Sequence, residues 1–464
     1  MPQKTSKMIK QTLSCHIFEY GKLSDGYIPL DSHFNRKQII EFLRKYRDAR
    51  KASCIGNIQN RKIEFKEDDL YNNSSNVGIL NLPSTGITLE FRPKLDKGSM
   101  NNFWAFLPRM LHCLCDFDDF NDRVFLDPEV IIDLPRGNSM VPLFALSLAT
   151  LCGKAIKTGL LKKYLPRNER LKKIKGKIDF GRLSREKAWD LSSVPCRYFD
   201  LTFDNHENQI ILWCINRLLH ETKQLLSQKN PGEPRIVKIL REQFVLLSQE
   251  ITLIPKTRSS VLEVNYSSLP SHYLDLMKLC RGILTESLFS FLEKETQMIK
   301  GINFLIDMDW VFEQYMTSLF KEVSKNNEFK GKIIIRDQER QSLCDRNRIK
   351  IRPDLMIYNS KNQPKAVIDF KWKESPGSGD NDNLYQVICY GLAQLQKINK
   401  IDANLFYALG EDEDFDKISK IFNQEKVLSI KKMGLQQDVF RGNADAIEES
   451  IKTKISGYLK TLCT

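Results

Sequence analysis

The chain has 464 residues, 41% of them hydrophobic and 28% charged, a balance that excludes a disordered or membrane-embedded polypeptide and leaves room for roughly two or three domains with real cores. Its formal net charge of +13 favours a polyanionic partner, because each phosphate neutralised by Lys or Arg releases counterions. A solvated lysine-rich surface is the plainer alternative.

The opening residues, MPQKTSKMIKQTLSC, lack the apolar core of a secretory signal, so a cytoplasmic protein is expected. Residues 1–100 read as a β-rich domain. Val77-Gly-Ile-Leu-Asn-Leu82 and Ile87-Thr-Leu-Glu-Phe-Arg-Pro-Lys94 are short strand-like runs, and Leu82-Pro-Ser-Thr-Gly86 between them suits a hairpin or loop.

Residues 101–300 change in character. Segments 103–117, 143–161 and 208–226 repeat apolar residues at three- and four-residue steps, which predicts a mostly helical middle domain. Its most apolar stretch, 139–153, suits a buried helix and is too short for a bilayer, which needs about 20 residues. The eleven cysteines form no framework, and most read as buried hydrophobes in a reducing compartment. His112-Cys113-x-Cys115 lacks the second pair that a zinc site needs.

A basic block lies in this middle region, and among residues 161–176 it holds Lys162, Lys163, Arg167, Arg170, Lys172, Lys173 and Lys175. It reads equally as a DNA-backbone contact or as an exposed loop or helix face.

Residues 301–464 alternate helix and strand: a helix at 310–323, strands at 332–336, 349–358 and 366–372, a helix at 384–396, a strand at 403–409 and a closing helix at 444–459. That order predicts a small α/β layer. In Val367-Ile-Asp-Phe-Lys-Trp372 the period of two puts Asp369 and Lys371 on one face and Ile368, Phe370 and Trp372 on the other.

The preceding strand carries Arg352-Pro-Asp354, where proline interrupts pairing and lets Asp354 turn toward Asp369. Two close carboxylates repel unless a cation intervenes, and Mg²⁺, a hard ion with oxygen ligands, suits them. Lys371 then stands beside the bound water and the phosphate, placed either to polarise the nucleophile or to stabilise developing charge. Glu313 in the helix ahead is a third candidate carboxylate. Gln386 and Tyr390, four apart on the helix behind, share one face.

Together these residues resemble the PD-(D/E)xK nuclease superfamily, and within it the McrC family, the nuclease subunits of McrBC-type 5-methylcytosine restriction systems. Arg352-Pro-Asp354, Ile368-Asp-Phe-Lys-Trp-Lys373, Leu384-Tyr-Gln386 through Tyr390 and Asp307-Met-Asp-Trp-Val-Phe-Glu313 carry the nuclease resemblance. Upstream, Glu90-Phe-Arg-Pro-Lys94, Gly159-Leu-Leu-Lys-Lys-Tyr164, Gly176-Lys-Ile178 and Asp204-Asn-His-Glu-Asn208 stand in McrC-like order, so the likeness covers about residues 75 to 410.

The resemblance implies a multi-domain α/β protein with a restriction-endonuclease-like core at 301–464. It also implies Asp354 and Asp369 as Mg²⁺ ligands, Glu313 as a residue that helps hold or orient the site, and Lys371 as the catalytic lysine. Its implied partners are DNA and a hexameric, McrB-like AAA+ GTPase that moves DNA and reads the modified base, with residues 1–100 docking to that motor. No Gly-Lys-Ser/Thr phosphate loop occurs in this chain, in keeping with a motor supplied in trans.

Competing expectations are a sequence-specific NTP-dependent restriction nuclease, a repair nuclease of the RecB-like kind, and a GTPase-stimulating adaptor without chemistry. Gln-x-x-x-Tyr also occurs in RecB-like domains, but only Cys389 and Cys463 follow Lys371, too few for the iron–sulfur cluster many of them carry. Intact Asp354, Asp369 and Lys371 argue against the adaptor.

Overall fold

The computed structural model describes residues 13–18, 41, 76–82, 87–92, 106–107, 109–111, 123–135, 141–185, 192–226, 235–284, 298–342, 350–375, 381–395, 398–418, 427–435 and 444–463. In chain order these form β1 (Leu13–Phe18), β2 (Asn76–Leu82), β3 (Ile87–Arg92), β4 (Val124–Pro135) and α1 (Val141–Thr158). There follow β5 (Lys163–Leu171), β6 (Lys177–Ile178), α2 (Phe180–Arg185), β7 (Val194–Thr202), α3 (His206–Leu226), α4 (Arg235–Ser248), α5 (Arg258–Leu262) and α6 (Ser271–Leu284). The last third supplies β8 (Met298–Asp307), α7 (Met308–Val323), β9 (Ile333–Asp337), β10 (Gln341–Ser342), β11 (Lys350–Ile351) and β12 (Leu355–Asn359). It ends with β13 (Pro364–Glu374), α8 (Asn381–Leu395), β14 (Lys400–Leu409), β15 (Glu413–Ile418), β16 (Val427–Gly434) and α9 (Ala444–Cys463).

The protein is mixed α/β and divides into two compact units, one of Met1–Leu143 with Ser290–Thr464 and one of Phe144–Phe289. In the first unit a five-stranded sheet runs in the order β1-β3-β2-β8-β4. The two strand-like runs near residue 80 pair antiparallel, with Leu80 opposite Leu89; their connector, 83–86, lies outside the described residues. Where backbone pairing of β2 with β8 stops at Ile79↔Phe304, Asn303 continues the ladder with its side chain. Its Oδ1 accepts the Asn81 N–H at 2.8 Å and its Nδ2 donates to the Asn81 carbonyl at 2.9 Å, which satisfies both backbone groups.

β4 and the start of β8 lie in the stretch that the sequence reads as helical. The register of β4 on β8 skips from Asp127 to Ile131, so no clean two-residue alternation runs along it to announce a strand. Of the helix expected at 103–117, residues 106–107 and 109–111 are described, and they are helical; His112, Cys113 and Cys115 lie outside the described residues.

The second sheet of this unit has the order β15-β16-β14-β13-β12-β9. β13, β14 and β16 are parallel, and β12 and β9 extend the sheet antiparallel. Parallel strands covered on both faces read as unbroken apolar runs, and every residue of β14 from Ile401 to Leu409 is buried.

α7 covers one face of this sheet. The Phe312 ring lies 6.4 Å from Phe370 and 5.3 Å from Trp372, and Phe320 lies 5.8 Å from Phe370. α8 covers the other face, placing Leu384, Val387 and Tyr390 against Val367, Ala403, Leu405 and Tyr407. The outcome is helix, sheet, helix. Two strands, β15 and β16, go beyond the four expected here; β15 is a charged edge strand, EDFDKI, whose composition suits an edge but hides it from an apolar pattern. The strand expected at 349–358 is split. Lys350–Ile351 pairs with β10, Pro353 breaks the ladder, and the chain joins the main sheet only at Leu355.

In the second unit α1, α3, α4 and α6 supply a helical core that includes the fully buried Phe144, Leu146, Leu218, Leu240 and Leu279. α1 extends past the 139–153 stretch and, at 18 residues and mean hydropathy 1.3, is long and apolar enough to cross a membrane by those two measures. All its residues from Val141 to Ala149 are buried, the pattern of a core helix. Of the described cysteines, Cys152, Cys196, Cys214 and Cys280 are buried thiols, as expected of small hydrophobes, whereas Cys389 is half-buried and Cys463 exposed.

The basic block is part strand and part exposed loop: Lys163, Arg167 and Arg170 lie on a strand, and Lys172, Lys173 and Lys175 in the exposed turn after it. Lys163–Leu171 forms β5, which pairs along its whole length with β7, and β7 also carries β6. Gly176, at φ 70°, sits where a Cβ would come within 2.4 Å of the Arg197 carbonyl oxygen, so only glycine fits there. The Asp204–Asn208 motif clamps the root of this sheet. Asn205 and Asn208 both donate to the Leu161 carbonyl, at 2.8 and 2.9 Å, and Tyr273 OH donates to Asn208 Oδ1 at 2.9 Å while accepting the Leu161 N–H.

Candidate active site

The register Leu355↔Ile368 between β12 and β13 brings Asp354 level with Asp369 just before β12 begins. Asp354 Oδ2 accepts the Phe370 N–H at 2.8 Å. Just ahead of the first residue of β12, that carboxylate takes the place of a strand carbonyl. On β13, Asp369 and Lys371 share the face turned toward α8, and Lys371 Nζ stands 2.6 Å from Asp369 Oδ2. Lys371 Nζ also donates to Gln386 Oε1 at 3.2 Å, and Gln386 Nε2 donates to Tyr390 OH at 2.7 Å. The opposite face of β13 buries Ile368, Phe370 and Trp372, as the alternation predicts.

Glu313 arrives from α7. Asp307 ends β8 and caps α7, its side chain accepting the Trp310 N–H, while Asp309 in the first turn suits the helix dipole. Phe312 and Met316 go into the core, which leaves Glu313 at its margin. There its Oε1 accepts a hydrogen bond from Gln338 Nε2, and the same nitrogen lies 3.5 Å from Asp354 Oδ1. Sequence spacing does not reveal Gln338. It sits between Asp337 and Glu339 at the end of β9, and only the tertiary fold brings it to the carboxylates.

These groups also act on one another electrostatically. Burial, reinforced by the negative charge of Asp369, pushes the Glu313 carboxyl up to about 7. Burial, then Asp369 and Glu313, holds Asp354 well above the ordinary carboxylate range. For Lys371, burial favours the neutral amine, but Asp369 and Asp354 outweigh it and its pKa rises. Burial raises Tyr390 as well. The six residues singled out on the sequence thus form one connected cluster of three carboxylates, one ammonium, one amide and one phenol.

The seven basic residues of β5 and its turn form no such cluster. Lys163 pairs with Glu207 at 2.5 Å and Lys175 with Asp200 at 2.7 Å, Arg170 donates to the Ser193 carbonyl at 2.7 Å, and Lys162 lies 4.4 Å from the centre of the Phe203 ring. Lys172 and Lys173 are exposed at the strand end, and Arg167 is half-buried.

Among the described residues, no group of three or more His, Cys, Asp or Glu side chains is arranged to hold a metal ion. The donors at Asp354 and Asp369 still suit Mg²⁺, which is commonly bound by one or two carboxylates and keeps several waters. Burial and mutual repulsion of these carboxylates are the conditions that a divalent cation relieves.

No curated protein matches the chain. Among solved structures it is similar to a half-complex from a tetradecameric assembly of Thermococcus gammatolerans McrB AAA+ hexamers with bound McrC, at 13% identity and a TM-score of 0.42 over 96% of this chain and 100% of that one. It is also similar to a chain of the Thermococcus gammatolerans McrBC complex, at 15% identity and a TM-score of 0.29 over 67% of this chain and 88% of that one. The model of one protein family, the McrBC 5-methylcytosine restriction system component, matches residues 72–408. That span is well over half of the chain and runs from β2 through the candidate site into β14, and by it the chain belongs to the McrBC family.

Proposed function

We propose that this chain is the DNA-cleaving subunit of a modification-dependent restriction system, a PD-(D/E)xK-type endonuclease that hydrolyses phosphodiesters with Mg²⁺ and works with an AAA+ GTPase motor. One observation carries the reading: Asp354, Asp369 and Lys371 meet at one point of a sheet, with Lys371 paired to Asp369 and Asp354 bound to the Phe370 N–H. Family membership favours this reading over a repair nuclease.

Asp354 and Asp369 are the residues proposed to hold the ion, with Glu313 holding or orienting the site beside them. Bound there, Mg²⁺ would supply Lewis-acid polarisation of the phosphate and a more acidic water. Lys371, kept protonated by its carboxylate neighbours, stabilises the charge that develops on the phosphate oxygens. Gln386 fixes the lysine by hydrogen bonding to Nζ, and Tyr390 fixes Gln386. The supporting fold is the β9–β12–β13–β14 sheet between α7 and α8, proposed as a restriction-endonuclease-like core within residues 301–464.

The motor is proposed in trans because the sequence has no phosphate loop of its own, and residues 1–100 are proposed to dock to it. DNA-backbone contacts are proposed for the basic block, in which Lys162, Lys172, Lys173 and Lys175 are exposed and Lys163, Arg167 and Arg170 partly buried beside them. The test is cleavage of methylated and unmethylated plasmid by the chain with an AAA+ protein encoded beside it, with Mg²⁺ and either GTP or ATP. Methylated plasmid is expected to be cut with GTP, and Asp369→Ala to abolish cutting. An Asp369→Ala variant that cuts at the normal rate overturns the proposal.

A further inference from the structure

Gln338 closes β9 in a left-handed conformation, φ 51°, which is costly for a residue that carries a Cβ. A turn at such a position ordinarily takes Gly or Asn, and glutamine gains nothing locally from it. Its contacts are long-range instead. The Gln338 backbone N–H donates to the Asp354 carbonyl at 3.1 Å. Its side-chain Nε2 donates to Glu313 on α7 and stands 3.5 Å from Asp354 Oδ1. Strained non-glycine residues cluster at functional sites.

The neighbours of Gln338 sharpen the point. Asp337 is drawn off to Lys321 at 2.6 Å, and Glu339 accepts from Tyr358 OH at 2.5 Å and faces Arg336. Both acidic side chains on this turn have partners elsewhere, and the neutral amide between them is the group offered to two buried carboxylates.

We infer that Gln338 is a positioning residue that fastens Glu313 to Asp354 and so sets the affinity of the site for a divalent cation. The inference rests on the metal-dependent reading proposed above. Residues that orient metal-binding carboxylates, without touching the ion, typically account for about ten- to a hundredfold in affinity.

The experiment is Mn²⁺ binding to the full chain, followed by electron paramagnetic resonance, alongside thermal unfolding. Wild type is expected to bind Mn²⁺, and Gln338→Ala to bind it about tenfold more weakly or worse. Gln338→Gly relieves the left-handed backbone while deleting the amide, so it is expected to unfold within a few degrees of wild type and still to lose affinity. A Gln338→Gly variant that binds Mn²⁺ as tightly as wild type overturns the inference alone. A wild-type chain that binds no Mn²⁺ overturns the metal reading and the inference together.

Discussion

Asp354 hydrogen-bonds through its carboxylate to the backbone N–H of Phe370, at 2.8 Å, sixteen residues along the chain. A residue proposed to hold a metal ion is therefore also the group that closes the sheet ladder where β12 has not yet begun. Its two duties can be separated. Asp354→Asn removes the charge and keeps an acceptor for Phe370, whereas Asp354→Ala removes both. Each variant relieves repulsion from Asp369 and Glu313 equally, so their difference reports the side chain as an acceptor, chiefly for the Phe370 N–H at 2.8 Å beside the longer contact from Gln338 Nε2. Asp354→Ala is expected to be less stable than Asp354→Asn by about 1–3 kcal/mol, the cost of an unsatisfied buried donor, and neither is expected to cut DNA. Urea unfolding of the two proteins side by side reads the first effect, and equal stability would show that Phe370 finds another partner.

Lys371 is the one cation in the cluster, and its position is fixed from two sides by Asp369 and Gln386. Lys371→Ala is expected to lower the cleavage rate by roughly 10²–10³, as loss of a preorganised charge-stabilising group does. Gln386→Ala leaves the ammonium in place with less to orient it and is expected to fall between wild type and Lys371→Ala. The check is single-turnover cleavage by the assembled complex; a Lys371→Ala protein at wild-type rate would remove the lysine from the mechanism.

The cluster was largely legible in the sequence because its central members are close along the chain. Asp369 and Lys371 need only the two-residue period of one strand, Gln386 and Tyr390 only the pitch of one helix, and Pro353 marks the break that frees Asp354. Gln338 and the Phe370 N–H were not legible, since both depend on the register between β9, β12 and β13. The same distinction applies to the fold. β13 announces itself by its two-residue alternation and β14 by the run Leu405-Phe-Tyr-Ala-Leu409, but β5 carries Lys163, Arg167, Arg170 and a proline, with both of its faces at least partly exposed. β4 breaks its alternation at a bulge. Neither resembles a strand until its partner is in place.

Phe312 ties α7 to the sheet through Phe370 and Trp372, and Glu313 is its immediate neighbour. Phe312→Ala is expected to destabilise this unit by about 3–5 kcal/mol through lost burial and the cavity left behind. Phe312→Leu keeps most of the volume and is expected to cost less. Because the helix that loses its anchor is the one that presents Glu313, cleavage should fall more than stability alone accounts for. Cleavage measured well below the unfolding midpoint of each variant separates the two; activity that merely tracks the folded fraction would mean that α7 holds Glu313 without this contact.

Glu448 on α9 receives Arg109 at 2.6 Å and Lys452 at 2.8 Å. Burial alone would raise its carboxyl, but the hydrogen bonds and charges of Arg109 and Lys452 outweigh burial and bring its pKa below the ordinary value. A carboxyl depressed in the folded state favours folding when ionised. Its contribution is therefore present above the unfolded-state pKa, near 4.5, and is lost as pH falls through the lower folded value. Glu448→Gln keeps the shape and deletes the charge, so at pH 7 it is expected to be less stable by about 1.5–3 kcal/mol, the range for a hydrogen bond to a charged group. The gap should shrink steadily below about pH 4.5 as the wild-type carboxyl protonates. Unfolding midpoints of the two proteins measured from pH 7 down to pH 3 decide it: parallel curves would mean that the Arg109–Glu448–Lys452 contacts contribute no pH-dependent stability.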